Sequence, residues 1–419
     1  MLTTDRRWFL AAVAASAVPL ASGCTAPTAE QSAGHPISDT VTEWPTFRGS
    51  RFNTGYARGV EPTGSEPSIA WTYETGGPIW GSPVVAENTV FIGSTDGALY
   101  ALDAETGDRQ WAVPTDHRVE GAPAYADGTV YVGSYDTRVY AVDAASGEER
   151  WNRALGGLIR GSPTVRNDTV FIGVGCHNLA CSWYAEDANV TEDGWVYALD
   201  AASGETRWKY PVGDEVVSTP AVADGTVYVG ASDATMYALA ADTGDVEWTY
   251  DVNDMIWSSP ALAFGTLFFA DWNGRVHAVD AGSGEEEWTA DPLANYISGS
   301  VAVDEEGVYV GHTPYNSLDD PQTHYGEMFK FDRRTGAELW SFETTALEVG
   351  SSPVVTDERL YFGTHGQTER DGLGVYGLST DGSEEWFLEV GARGVGSSPA
   401  LIDGTLYFGG TDGRVYAVE

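Results

Sequence analysis

The chain has 419 residues, 62 acidic against 22 basic side chains, and a formal net charge of −40. Only two of the bases are lysines, Lys209 and Lys330. The acids are spread along the chain rather than gathered into a cation-binding block, and no basic stripe is present to neutralise phosphates, which argues against nucleic acid as a partner.

At the N-terminus, Arg6 and Arg7 precede Trp8, Phe9 and Leu10, and a mild apolar run follows to Leu20. This resembles a twin-arginine export signal, and the run is too short to span a bilayer. It ends in "LASGC", which resembles a lipoprotein processing box with Cys24 as the lipidated residue. Residues 1–23 are therefore expected to be a signal peptide. Residues 24–43, rich in Thr, Ala, Ser and Pro, are expected to be a lipidated Cys with a flexible tether. Residues 44–68, with the phrase "WPTFRGSRFNTGY", form a separate segment before the repeats begin.

From residue 69 onward the chain repeats itself. Trp71, Trp111, Trp151, Trp208, Trp248, Trp288, Trp340 and Trp386 follow one another at gaps of 40, 40, 57, 40, 40, 52 and 46 residues. Each unit opens with a small-residue phrase such as "GSPVV" (81–85) and continues with an alternating run such as "TVFIG" (89–93). A "LYALD"-type strand (99–103) comes next, and the Trp strand closes the unit. Val, Ile, Tyr and Phe at period two, punctuated by Asp-Gly and Thr-Gly, predict short antiparallel strands joined by tight turns. No helical pattern intervenes. The fold expected over 69–419 is all-β: an eight-bladed β-propeller with four antiparallel strands per blade. The first Trp strand precedes any "GSP" strand, and the last unit ends at "VYAVE" (415–419). The N-terminal Trp strand is thus expected to complete the last blade and close the ring, removing an open sheet edge. Each Trp should dock between blades, with the Gly of "TG" or "SG" giving a turn of positive φ.

Three units carry insertions between their second and third strands, at 174–194, 312–327 and 364–374. All three fall on one face, the face on which the chain enters each first strand, and loops on a rigid scaffold are where binding evolves. They bring His177, Trp183, Tyr184, His312, Tyr315, His324, Tyr325 and His365 to the expected partner face. The residues just before the "GSP"-type phrases are Trp80, Glu120, Arg160, Val217, Trp257, Ser298, Gly350 and Gly396. They should approach the mouth of the central channel, where Trp80, Glu120, Arg160 and Trp257 would make a small polar-aromatic funnel. Cys176 and Cys181 are left to bridge each other outside the reducing compartment, with a metal site that adds His177 as the alternative. The recurring "STDG" and "GTDG" phrases satisfy tight-turn chemistry and lack EF-hand spacing.

The phrase "ALDAxTGxxxW" resembles the pyrroloquinoline-quinone (PQQ)-type propeller repeat. Enzymes of that family hold PQQ under two adjacent cysteines, with a calcium bound by Glu, Asn and Asp and a nearby Asp as base. Here the cysteines are five positions apart, no such ligand set maps onto the chain, and CxxCH, GxSxG and HExxH are absent. The expectation is therefore no catalytic residue, no metal and no cofactor, with a PQQ- and calcium-dependent dehydrogenase as the alternative. The chain also resembles the propeller lipoprotein branch of the family, which serves bacterial outer-membrane assembly, while its acid-rich, lysine-poor composition resembles that of haloarchaeal proteins. The resemblance implies an exported monomer anchored to the outer face of the cytoplasmic membrane, a scaffold for a protein or extended peptide. A solute-binding propeller is the further alternative.

Overall fold

The computed structural model describes residues 43–60, 66–176, 193–290, 296–297, 299–313, 325–346, 348–366, 372–391 and 393–419. Cys24, His177, Cys181, Trp183, Tyr184, Ser298, Tyr315 and His324 lie outside the described residues.

Eight four-stranded antiparallel sheets make up the ring, each in simple up-and-down order. Blade 1 spans 84–114, blade 2 124–154, blade 3 164–212, blade 4 221–251, blade 5 261–290, blade 6 302–343 and blade 7 354–389. Blade 8 takes three strands from 400–418 and its fourth from Ile69–Glu74, which pairs antiparallel with Arg414–Val418 so that Trp71 faces Ala417. The expected closure is therefore the one observed. The second strand of each blade is buried on both faces, as in Thr89–Ser94 and Thr129–Gly133, so it reads as a continuous apolar run. The fourth strand alternates between exposed and half-buried residues, as in Arg109–Pro114, because one of its faces meets solvent.

The tryptophans hold the seams. Trp71, Trp111, Trp151, Trp208, Trp248, Trp288 and Trp340 each donate their indole N–H to a carbonyl in the next blade, at 2.7–3.0 Å. Each ring lies on the turn glycine that follows that carbonyl. A Cβ on Gly107 would stand 2.6 Å from the Trp71 ring, and Gly107 has φ +75°, so only glycine serves both needs.

Inside the ring, hydroxyls link one first strand to the next. Ala122 N–H donates to Ser162 Oγ, Thr219 to Ser259, Ser259 to Ser300, Ser300 to Ser352, Ser352 to Ser398 and Ser398 to Ser82, at 2.8–3.1 Å. The Ser of the "GSP" phrase thus satisfies backbone donors that a closed ring of first strands leaves unpaired.

The segment before the propeller is not a spacer. Residues 44–57 cross the hub on the face of the first hairpin turns and hydrogen-bond through the backbone to six blades. Trp44 pairs with Val85 in both directions, Pro45 accepts from Tyr125, Arg51 from Val222, Phe52 from Leu262, Thr54 from Val303 and Gly55 from Val355, all at 2.7–2.9 Å. Arg48, only 2% exposed, donates to the carbonyls of Val301 (2.9 Å) and Pro353. Asn53 Nδ2 donates to Thr219 and Pro260. Gly55 must be glycine, because a Cβ there would stand 2.0 Å from Arg48 Nη2. Burial alone lowers the Arg48 guanidinium to about 9. It stays charged at neutral pH, solvated by carbonyl oxygens instead of water.

Candidate functional site

The chain enters every first strand on the face opposite this plug. Along the entry, one residue is a buried Val or Ile, such as Ile79, Val119, Ile159, Val216 and Ile256. The residue after it faces the channel, and the residue before it faces the rim, because side chains alternate in extended backbone. The channel mouth is lined by Trp80, Glu120, Arg160, Val217, Trp257, Gly350 and Gly396, over a cavity of about 160 Å³ that narrows to the serine ring. Phe47 of the plug also lines this cavity, so a ligand enters from one face alone.

The rim is a set of coupled groups. Arg160 Nη1 lies 3.3 Å from Glu215 Oε2, and that carboxylate side chain is 1% exposed. The Arg160 guanidinium also covers the Trp257 ring at 4.9 Å. Burial opposes its charge, but Tyr135, Glu215 and Glu120 around it more than offset that and raise it. Glu120 accepts from Arg118 (3.2 Å) and from the Tyr135 hydroxyl, which burial and the adjacent carboxylate hold in its neutral form. Trp257 meets Trp272 edge-on at 4.4 Å, and Trp272 stacks on Tyr296 at 5.0 Å. Trp80 is 41% exposed, with His365 edge-on at 5.5 Å, and His365 Nδ1 sits 3.3 Å from Glu348.

Among the described residues named from the sequence, the structure brings Trp80, Glu120, Arg160, Val217, Trp257, Gly350 and Gly396 together at the channel. His365 joins them as the neighbour of Trp80. Tyr325 is half-buried beside Gly326. His312 departs from its expected place: it ends the strand Gly307–His312, pairs with Glu327 and is 3% exposed. It is a wall residue rather than a loop residue, because the insertion starts after it. Cys176 is buried and disulfide-bonded.

Several rim groups carry no earlier sequence signal of their own. Arg118, Glu215 and Glu348 sit two residues before a channel-facing position, on the same side of the strand, and Tyr296 stacks on Trp272. Tyr135 and Trp272 replace the Thr95, Ser232 and Thr411 of the regular turns, and that swap is visible in "SYDTR" and "DWNGR".

The described funnel residues do not fit a calcium-held quinone. Glu120 is taken by Arg118 and Tyr135, Glu215 by Arg160, and one face of Trp80 lies against Gly396. Among the described residues, no three His, Cys, Asp or Glu side chains converge as a metal set.

The family model described as outer membrane protein assembly factor BamB matches residues 53–120, 113–175, 186–288 and 272–419. No curated protein sequence matches. Among solved structures, BamB from Moraxella catarrhalis is 19% identical with a TM-score of 0.66, over 84% of this chain and 97% of that one. The quinohemoprotein alcohol dehydrogenase from Comamonas testosteroni is 17% identical with a TM-score of 0.75, over 91% and 81%. A europium-containing methanol dehydrogenase is 16% identical with a TM-score of 0.68, over 90% and 98%. At these identities the likeness speaks for the fold alone. By the family match, which covers most of its length, the chain belongs to the PQQ-repeat β-propeller family described as outer membrane protein assembly factor BamB.

Proposed function

We propose that this chain is a non-catalytic binding propeller, exported, monomeric and tethered to the membrane through Cys24, that holds a protein or extended peptide on the funnel face. The observation that carries this reading is the rim. Entry strands and one blade turn place an exposed Trp80, a fixed Arg160–Glu215 pair and a Trp257–Trp272–Tyr296 stack around a mouth closed at the far end by Phe47. Such preorganised aromatic and charged anchors suit recognition of a partner side chain. Their carboxylates are already engaged and offer no free general base. Among the described residues, no helix is long and apolar enough to cross a membrane, so the tether rests on the "LASGC" phrase.

A photo-crosslinking side chain placed at Trp80 should capture the partner in intact cells. The same group at Glu105, on an exposed turn of the opposite face, should not. No adduct from position 80, or equal adducts from both, would defeat the proposal. Cys24→Ser should release the folded protein from membranes, and unchanged membrane fractionation would remove the anchor. Purified protein given PQQ and calcium should show no dye-linked oxidation of alcohols or sugars; turnover would replace the binding reading with an enzymatic one. The acid-rich surface fits a salty medium, and the melting temperature should climb between ~0.1 M and ~3 M KCl as screening becomes nearly complete.

A further inference from the structure

The plug face carries a feature that the repeat does not explain. Between blades 2 and 3 lies a cleft of about 610 Å³ lined by Arg51, Arg150, Arg166 and Arg207, four of the 22 bases in a chain of net charge −40. The comparable cleft between blades 8 and 1 is lined by Glu87, Glu105, Asp403 and Glu419 and by no base.

Three of these arginines replace something else at a repeated position. The residue before the seam Trp meets the Thr that starts the second strand. In blades 1, 4 and 5 this residue is Gln110, Glu247 and Glu287, bonded to Thr89, Thr226 and Thr266. In blades 2 and 3 it is Arg150 and Arg207, bonded to Thr129 and Thr169. The first strand ends in Ala86, Ala126, Ala223 and Ala263 in blades 1, 2, 4 and 5, but in Arg166 in blade 3. Arg51 is the fourth, supplied by the plug, with its backbone carbonyl fixed by Val222 N–H.

The four differ in what holds them. Arg150 is paired with Asp143 at 2.7 Å and Arg207 with Asp200 at 2.8 Å. Among the described residues, neither Arg51 nor Arg166 is paired with a carboxylate or donates a side-chain hydrogen bond. Arg51 covers the Phe52 ring at 4.6 Å. Asp127, Asp168 and Asp200 also line the cleft and Asp143 pairs with Arg150 beside it, so the four arginines are matched by nearby aspartates in a chain whose net charge is −40. Burial and then the charge of Arg166 lower the Arg51 pKa, with Asp224 acting the other way, so two like charges face one another across this space.

We propose that this cleft binds a phosphate-type oxyanion, clamped between Arg51 and Arg166 with Arg150 and Arg207 as its walls. Two guanidinium forks with open donors match a tetrahedral, multiply charged oxyanion better than they match a single halide. The site lies on the face opposite the funnel and does not depend on the partner-binding reading. Either a free phosphate or the phosphate of a lipid headgroup supplies the same chemistry.

The test is calorimetric titration of the purified full chain with inorganic phosphate at fixed KCl, beside Arg51→Gln, Arg166→Gln and the double variant. Saturable binding is expected, weakened about tenfold by each substitution and lost in the double variant. Glu247→Gln, at the equivalent position of blade 4, should leave it unchanged, and Arg166→Lys should retain most of it. A second arm floats the full chain carrying Cys24→Ser with phosphatidylglycerol or phosphatidylcholine vesicles. Flotation that needs phosphatidylglycerol and is lost with both glutamines makes the ligand a headgroup. Phosphate binding with equal flotation on both vesicles makes it a free phosphate. Absence of phosphate binding together with absence of phosphatidylglycerol-dependent flotation, or binding undiminished in the double variant, overturns the proposal. Should the double variant fail to fold, the single Arg51→Gln decides.

Discussion

The two faces of the ring are made in different ways. The funnel face is the repeat with its own positions substituted: where one blade has Gly396 another has Trp80, Glu120 or Arg160, all at the same place on the entry strand. The plug face is the repeat with a foreign segment laid over it once, held by backbone hydrogen bonds to six blades and by Arg48. A closed ring of similar units has no preferred direction around its axis. Substitution gives a rim that varies residue by residue on a fixed backbone. The single-copy plug closes the channel and fixes the hub without using any repeat position. Recognition and closure can therefore change independently.

The largest effect should come from the plug. Arg48→Ala orphans the carbonyls of Val301 and Pro353 and leaves a hole beneath the channel floor. A loss of about 3 kcal/mol is expected, read as a shift in the urea midpoint. Partner capture through Trp80 should persist in whatever fraction stays folded. A loss below about 1 kcal/mol would mean that the backbone contacts alone hold the segment, and Arg48 would be incidental to the hub.

The funnel face should answer to pH instead. Burial lowers His365 and His312 from 6.5 to about 4, so both are neutral in the fold. The unfolded chain takes up protons below pH 6.5 that the fold refuses. The stability these groups contribute is present above 6.5 and is lost as pH falls from there toward 4. Glu348 and Glu327, beside them, are raised by burial and act the other way over the lower part of this range, stabilising the fold as they protonate. Thermal melts from pH 7 to 4.5 should show a flatter curve for His365→Gln than for the unsubstituted chain, by roughly 1 kcal/mol per pH unit. Arg48→Ala should leave that slope as it was. Parallel curves for the histidine variant would show that His365 is not desolvated in solution.

Much of this architecture is legible in the sequence because the seam imposes it. A Trp that lies on a glycine and donates to a carbonyl two or three residues earlier in the neighbouring turn must recur with that turn, and phrases such as "DAETG" and "DAASG" record it in the seven blades that carry the turn. The channel residues are legible for a related reason: the "GSP" phrase fixes the register, and Trp80, Glu120, Arg160 and Trp257 follow from it. Their neighbours are less visible. Arg118 pairs with Glu120 two residues along the same strand, but only the folded ring shows that Glu215 reaches Arg160 from the next entry strand. The plug leaves the least trace. It occurs once, so no period marks it, and the carbonyls that make Arg48 worth burying belong to blades more than 250 residues away along the chain.

The smallest difference concerns the seams themselves. Trp111 and Trp386 occupy equivalent fourth-strand positions, and both are half-buried. Trp111 donates to Ala144 O at 2.9 Å and lies on Gly147. Trp386 faces blade 8, whose third and fourth strands come from opposite ends of the propeller sequence, so no turn joins them to present a carbonyl. Its ring packs against Tyr361 at 5.7 Å, and among the described residues its indole N–H donates to no carbonyl. Trp111→Phe keeps the ring contact and removes the donor, which should cost about 1 kcal/mol. Trp386→Phe removes a donor that has no acceptor among the described residues and should cost a few tenths of a kcal/mol at most. Paired urea titrations resolve that gap. Equal losses at the two sites would show that the seam tryptophans act through packing alone, and the seven indole hydrogen bonds would then be a consequence of the ring's geometry rather than part of what holds it shut.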